Sequence, residues 1–159
     1  MTRKEQYNQL ILQIAELIKD ETNLVGILAN VSAALHDTFP ERFFWVGFYL
    51  QENGNMLRLG PFQGSVACYV IPFGKGVCGK AWEEERTLIV PDVEKFPGHI
   101  ACSSLSRSEI VVPMYDDSHT FRGVLDIDST RLNDFNEDDK EGLERIIELL
   151  MEETQDLFQ

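Results

Sequence analysis

Cysteine is scarce in this 159-residue chain, cations are outnumbered and long apolar runs are missing. Each absence excludes something. Three cysteines, Cys68, Cys78 and Cys102, cannot all pair within one chain. They form no C-x-x-C pair, and together with His99 they lack the usual spacing of zinc ligands. No stretch approaches the roughly 20 apolar residues that cross a bilayer. Gln13, Glu16, Lys19 and Asp20 interrupt the first apolar segment, which is therefore not of signal-peptide type. The expected location is the cytoplasm, where thiols are held reduced. Only 14 Lys and Arg stand against 27 Asp and Glu, a formal net charge of -13, which argues against nucleic acid and anionic membranes as partners. A G-x-S-x-G elbow is missing, so serine hydrolase chemistry has no support.

What is present reads as one globular domain over 1–159, with 43% hydrophobic residues and room for a sizeable core. Tyr7, Leu10, Ile11, Ile14, Leu17 and Ile18 recur at helical spacing, and Leu24, Ile27, Leu28, Val31 and Leu35 do so again. Strands are expected at 43–50 and 56–59, joined by an Asn53-Gly54 turn, and at 68–71 and 87–90, with a short helix over 77–86 between them. Residues 91–107 have little periodicity, and a long structureless stretch in a compact domain is usually functional. Strands at 108–115 and 120–128 follow. A last helix opens at Asn136 with an acidic first turn and carries Leu143, Ile146, Ile147, Leu150 and Leu157 inward. The order predicts an α+β fold: a largely antiparallel sheet, terminal helices on one face, loops and the short helix on the other.

Chemistry concentrates at a few positions. Asp126 and Asp128 alternate with Leu125 and Ile127, so the two carboxylates share a strand face, about 7 Å apart. Glu109 lies on the preceding strand of the same hairpin. Three converging carboxylates need a balancing cation such as an ammonium group, or a raised pKa that lets one act as a proton donor; otherwise the two aspartates simply face water. Cys102 stands between His99 and Arg107, where a cation would favour the thiolate. Cys78 opens the short helix after a Gly-Lys-Gly turn, and Cys68 is expected in a strand as an inert thiol. Trp45 is a core residue or a wall for a methyl-sized group. Alternation places it with Gly47, opposite Phe44, Val46 and Phe48.

Six blocks carry a resemblance. Trp45-Val46-Gly47-Phe48-Tyr49-Leu50, Leu59-Gly60-Pro61-Phe62-Gln63-Gly64, Ile71-Pro72-Phe73-Gly74-Lys75-Gly76-Val77-Cys78-Gly79, Gly98-His99-Ile100-Ala101-Cys102, Ser108-Glu109-Ile110-Val111-Val112-Pro113 and Gly123-Val124-Leu125-Asp126-Ile127-Asp128 occur in order. They closely resemble the free methionine-R-sulfoxide reductases, which are stand-alone GAF domains. The resemblance implies reduction of free L-methionine-R-sulfoxide through a cysteine sulfenic acid and an intramolecular disulfide. It implies no bound cofactor, with thioredoxin as electron source, itself served by NADPH through thioredoxin reductase, and a homodimer. By the same resemblance Cys102 is the nucleophile, Cys68 the resolving thiol and Cys78 a further exchange partner that is also a candidate nucleophile. Glu109, Asp126 and Asp128 would hold the substrate ammonium and assist protonation, and Trp45 would wall the methyl pocket.

Overall fold

The computed structural model describes residues 1–158. Helices α1 (Arg3–Ile18) and α2 (Leu24–Thr38) precede strands β1 (Trp45–Glu52), β2 (Met56–Gln63) and β3 (Val70–Pro72). Helix α3 (Gly76–Glu84), β4 (Leu88–Val90), β5 (Ser108–Tyr115), β6 (Phe121–Ser129) and α4 (Glu137–Thr154) follow. The strands form one sheet in the order β3-β2-β1-β6-β5-β4, with every neighbouring pair antiparallel.

Two apolar layers flank the sheet. On one face Leu10, Ile14, Leu28, Leu35, Leu143 and Ile146 of the three long helices bury against Val46, Phe48, Ile110, Leu125 and Ile127. On the other, Val77, Cys78 and Ala81 of α3 pack on Tyr49, Val111 and Val124. The period of two along β6 thus delivers Leu125 and Ile127 to the helices, and Asp126 and Asp128 to the α3 face. The expected layering is what the fold shows.

A polar clamp ties the ends of the chain together. Asp139 closes a capping box with Asn136 at the start of α4 and is fully buried. Its carboxylate accepts from Tyr7 Oη at 2.6 Å, Arg3 Nη1 at 2.8 Å and Arg42 Nη2 at 3.0 Å. The Arg42 guanidinium lies 5.1 Å over the Phe39 ring. The sequence pattern suggests only a favourable helix dipole here; the carboxylate is in fact the hub of a buried network.

Several boundaries differ from expectation for identifiable reasons. Strand β2 runs on to Gln63, past Gly60-Pro61. Those two residues face the single residue Phe48 in a bulge, and β3 covers β2 only from Met56 to Arg58, so Pro61 has no outer partner to satisfy. Strand β1 begins at Trp45, and Phe44 packs on the α3 face rather than with Val46 and Phe48; alternation does not extend past the strand's first residue. Cys68 lies in the loop before β3, half-buried, not in a strand. Leu157 falls in a 3-10 turn beyond α4.

Candidate active site

On the α3 face, register determines which side chains meet. Trp45 on β1 pairs with Asp128 on β6, and Asp128 pairs with Glu109 on β5. The next row of that face is Gly47, Asp126 and Val111. A Cβ at Gly47 would stand 2.2 Å from Phe62 Cβ, so only glycine lets β1 approach β2 this closely beside the row. These rows floor a small cavity of about 40 Å³, walled by Trp45 and Tyr49 and roofed by Cys78, His99, Ile100 and Cys102.

Trp45 is 5% exposed, stacks on Phe62 at 5.1 Å and Tyr49 at 5.9 Å, and donates its indole N–H to the Ser65 carbonyl at 3.0 Å. Tyr49 Oη donates to the Cys68 carbonyl at 3.0 Å. The wall of the cavity therefore also anchors the loop that carries Cys68. That loop is joined to the one after β4 by a Cys68–Cys102 disulfide, with Cα atoms 5.5 Å apart. Cys102 lines the cavity and Cys68 does not. Cys78 is a buried free thiol in the first turn of α3.

Burial governs the charges. Glu109 is held well above the usual carboxylate range, first by burial and then by Asp126 and Asp128. Asp128 is held well above it by burial and by Asp126. Asp126 is raised by burial too, but hydrogen bonds from Glu109 and Cys78 oppose the rise. Burial and neighbouring charge thus favour the protonated form of Glu109, whereas hydrogen bonding favours the anion at Asp126. Asp126 Oδ1 is buried without a hydrogen-bond partner among the described residues. The same environment pushes the Cys78 thiol well up, with burial the largest cause and the carboxylates next.

Cys78, Glu109 and Asp126 offer ligand atoms within 4.8 Å of one another, a spacing that suits a metal ion. Holding one would require deprotonating Cys78 and Glu109, whose pKa values burial raises, and that costs affinity. Gly74, Gly76 and Gly79 have G-x-G-x-x-G spacing. Their turn follows a three-residue edge strand of an antiparallel sheet, and Gly74 N bonds to Gly79 O at 3.0 Å. This is not the βαβ context in which such glycines cradle a dinucleotide.

All seven positions singled out in the sequence gather in or beside the cavity. Cys68 stands behind its wall, bonded to Cys102. Two contributors were missed. Tyr49 shares the Trp45 face by simple alternation, so its place was readable. His99, with Nε2 3.9 Å from Glu109 Oε1, reads from the sequence as a cationic neighbour of Cys102 or a poorly spaced zinc ligand, not as part of the cavity roof. Burial lowers its pKa below the ordinary histidine value, so it is neutral at pH 7 and does not supply that cation.

Comparison with known proteins matches this arrangement to a family. A model described as GAF domain matches residues 21–151. The free methionine-R-sulfoxide reductase of Saccharomyces cerevisiae is 42% identical over 155 residues, covering 94% of this chain and 86% of that protein. The Escherichia coli protein of the same name is 42% identical over 147 residues, covering 92% of this chain and 87% of its own. The X-ray structure of free methionine-R-sulfoxide reductase from Neisseria meningitidis, in complex with its substrate, superposes with a TM-score of 0.93 at 46% identity, over 98% of this chain and 92% of that one. The carboxylate rows, the roofing thiols and these matches lead to one conclusion: the chain belongs to the GAF-domain family of free methionine-R-sulfoxide reductases.

Proposed function

We propose that this enzyme reduces free L-methionine-R-sulfoxide, and that residues 1–159 act as one GAF unit. The observation that carries this reading is the meeting, in one small cavity, of Cys102 with three crowded carboxylates, one of which presents an unpartnered oxygen. An α-ammonium group is the cation such a cluster lacks, and a methionine inside a peptide has none. Asp126 and Asp128 receive the ammonium, and Trp45 walls the S-methyl group. Glu109 holds the proton that the sulfoxide oxygen takes as its bond to sulfur weakens.

The Cys102 thiol attacks the sulfoxide sulfur, methionine leaves, and the oxygen remains as a Cys102 sulfenic acid. Cys68 then displaces that oxygen as water and closes the disulfide. The balance is one sulfoxide and two thiols to one methionine, one disulfide and one water. Thioredoxin, charged from NADPH by thioredoxin reductase, returns the dithiol by exchange. The Cys68–Cys102 pairing supports these two as the working couple. Cys78, deep and with its thiolate disfavoured, is better suited to hold Asp126 in place than to attack.

Methionine release from separated R and S epimers, with dithiothreitol as reductant, tests the assignment. Wild type is expected to turn over the R epimer alone. Cys102→Ser should lose roughly 1,000-fold or more, and Cys78→Ser should stay within about tenfold of wild type. Release from neither epimer overturns the reading; activity lost with Cys78 but kept without Cys102 moves the nucleophile.

A further inference from the structure

The two segments that carry the disulfide cysteines differ in charge from the rest of the chain. None of the chain's Asp or Glu residues lies in 53–82 or 95–108, the two segments that carry Cys68 and Cys102. Those segments contain Arg58, Lys75, Lys80, Lys95 and Arg107. Lys80 is paired with Glu83, whereas Lys75, Lys95 and Arg107 are exposed and, among the described residues, join no ion pair. Lys75 precedes Gly76, which lies against Ile100, two residues before Cys102. Lys95 and Arg107 converge because Val93 N donates to Arg107 O at 2.9 Å. The cations thus border the two loops joined by the disulfide, in a protein of net charge -13.

The same surface is apolar at its centre. Val66 is 87% exposed, Tyr69 77% and Leu105 59%. None is more than three residues from a disulfide cysteine. At 3.8 Å per residue their Cα atoms lie within about 12 Å of the Cα of a disulfide cysteine. Large exposed side chains this close together mark a contact site.

We propose that this face is the docking site of a dithiol reductase whose own redox pair is rimmed by carboxylates, and that the reductase attacks Cys68 rather than Cys102. The inference rests on the disulfide cycle proposed above. Charge complementarity selects the partner: the net charge of -13 repels acidic proteins, and the carboxylate-free segments with Lys75, Lys95 and Arg107 favour their approach beside the disulfide. The attack site follows from the cavity, which Cys102 lines and Cys68 does not. A partner thiolate bonds to Cys68 Sγ, and the Cys68–Cys102 bond breaks. Cys102 leaves as a thiolate into the substrate cavity and takes up a proton. The partner's second thiol then attacks the mixed disulfide, leaves as the oxidised partner and frees Cys68, which is protonated in turn. Two electrons and two protons pass to this chain, and the restored nucleophile already faces its substrate.

The test uses two reductants and two variants. With thioredoxin, Lys75→Glu/Lys95→Glu and Tyr69→Ser/Leu105→Ser are each expected to lower kcat/KM for the reductase about tenfold at low salt, the charge variant less so at high salt. With dithiothreitol both should match wild type. Thioredoxin lacking its second redox cysteine should be trapped on Cys68, read by peptide mass mapping. Unchanged kcat/KM with thioredoxin, or a trapped bond on Cys102, overturns the proposal. Absence of turnover with dithiothreitol in wild type would instead strike the reductase reading on which it rests.

Discussion

At the scale of single residues, the site is built against the stability of the protein. Glu109, buried, and Asp128, half-buried, sit on the α3 face of the sheet, with carboxyl pKa values raised first by desolvation and then by neighbouring carboxylates. A carboxyl whose folded pKa exceeds its unfolded value destabilises the fold once pH rises past the unfolded value, near 3.9 for Asp, and the penalty saturates above the folded value. Below both, it costs nothing. Asp128→Asn is therefore expected to raise stability at neutral pH by about 1–2 kcal/mol, with the gain vanishing near pH 3. Its KM for the sulfoxide should rise at the same time. Thermal melts at both pH values check the first part, and an equal gain at both would contradict it. The sequence made the two aspartates legible because the period of two in Val124-Leu125-Asp126-Ile127-Asp128 is clean. The burial of Asp126 and half-burial of Asp128 were not legible: they depend on α3 and the 91–107 loop closing over them, and no local pattern encodes that. The pairing of Glu109 with Asp128 was likewise hidden, because a one-residue change in the β5–β6 hairpin would have turned Glu109 to the other face.

At the scale of elements, helices and hairpins were readable where periodicity or turn chemistry was strong, as in α1, α2, the Asn53-Gly54 turn and the Asn136 start of α4. Failures came where tertiary partners override local signals. Gly60-Pro61 reads as a strand end, yet a bulge opposite Phe48 absorbs it. Asp139 reads as one of three acids at a helix start, yet its oxygens gather Tyr7, Arg3 and Arg42 across the whole length of the chain. This α1–α4 contact also depends on Gly142, where a Cβ would lie 2.3 Å from Tyr7 Cγ. Gly142→Ala gains roughly 1 kcal/mol in helix propensity but forces an overpacked ring contact costing about 1–3 kcal/mol. A net loss of stability is expected, seen as a lower urea midpoint. Tyr7→Phe should cost about 1–2 kcal/mol by removing a charge-assisted hydrogen bond. No change in either variant would show that α1 contributes little to global stability.

At the scale of the whole molecule, one sheet separates two tasks. Its helix side supplies the continuous apolar core, and its α3 side holds the reactive groups under two loops joined by sulfur. Cutting that bond should loosen the roof. Backbone hydrogen exchange over 97–106 is expected to speed up on reduction and to slow again when free methionine sulfoxide binds the dithiol form. Equal exchange in all three states would show that the roof is rigid without its covalent tie.

The Cys68–Cys102 bond encircles β3, α3 and β4 in a ring of sequence separation 34. Closing a ring of that size removes chain freedom from the unfolded state worth about 3–4 kcal/mol. Every turnover would thus convert an open thread into a lasso and back. On the proposed cycle, molecules short of reductant would stall in the lasso form, which would be the hardier of the two against heat and proteases. Idle catalyst would outlast working catalyst, a reserve that waits intact for electrons to return.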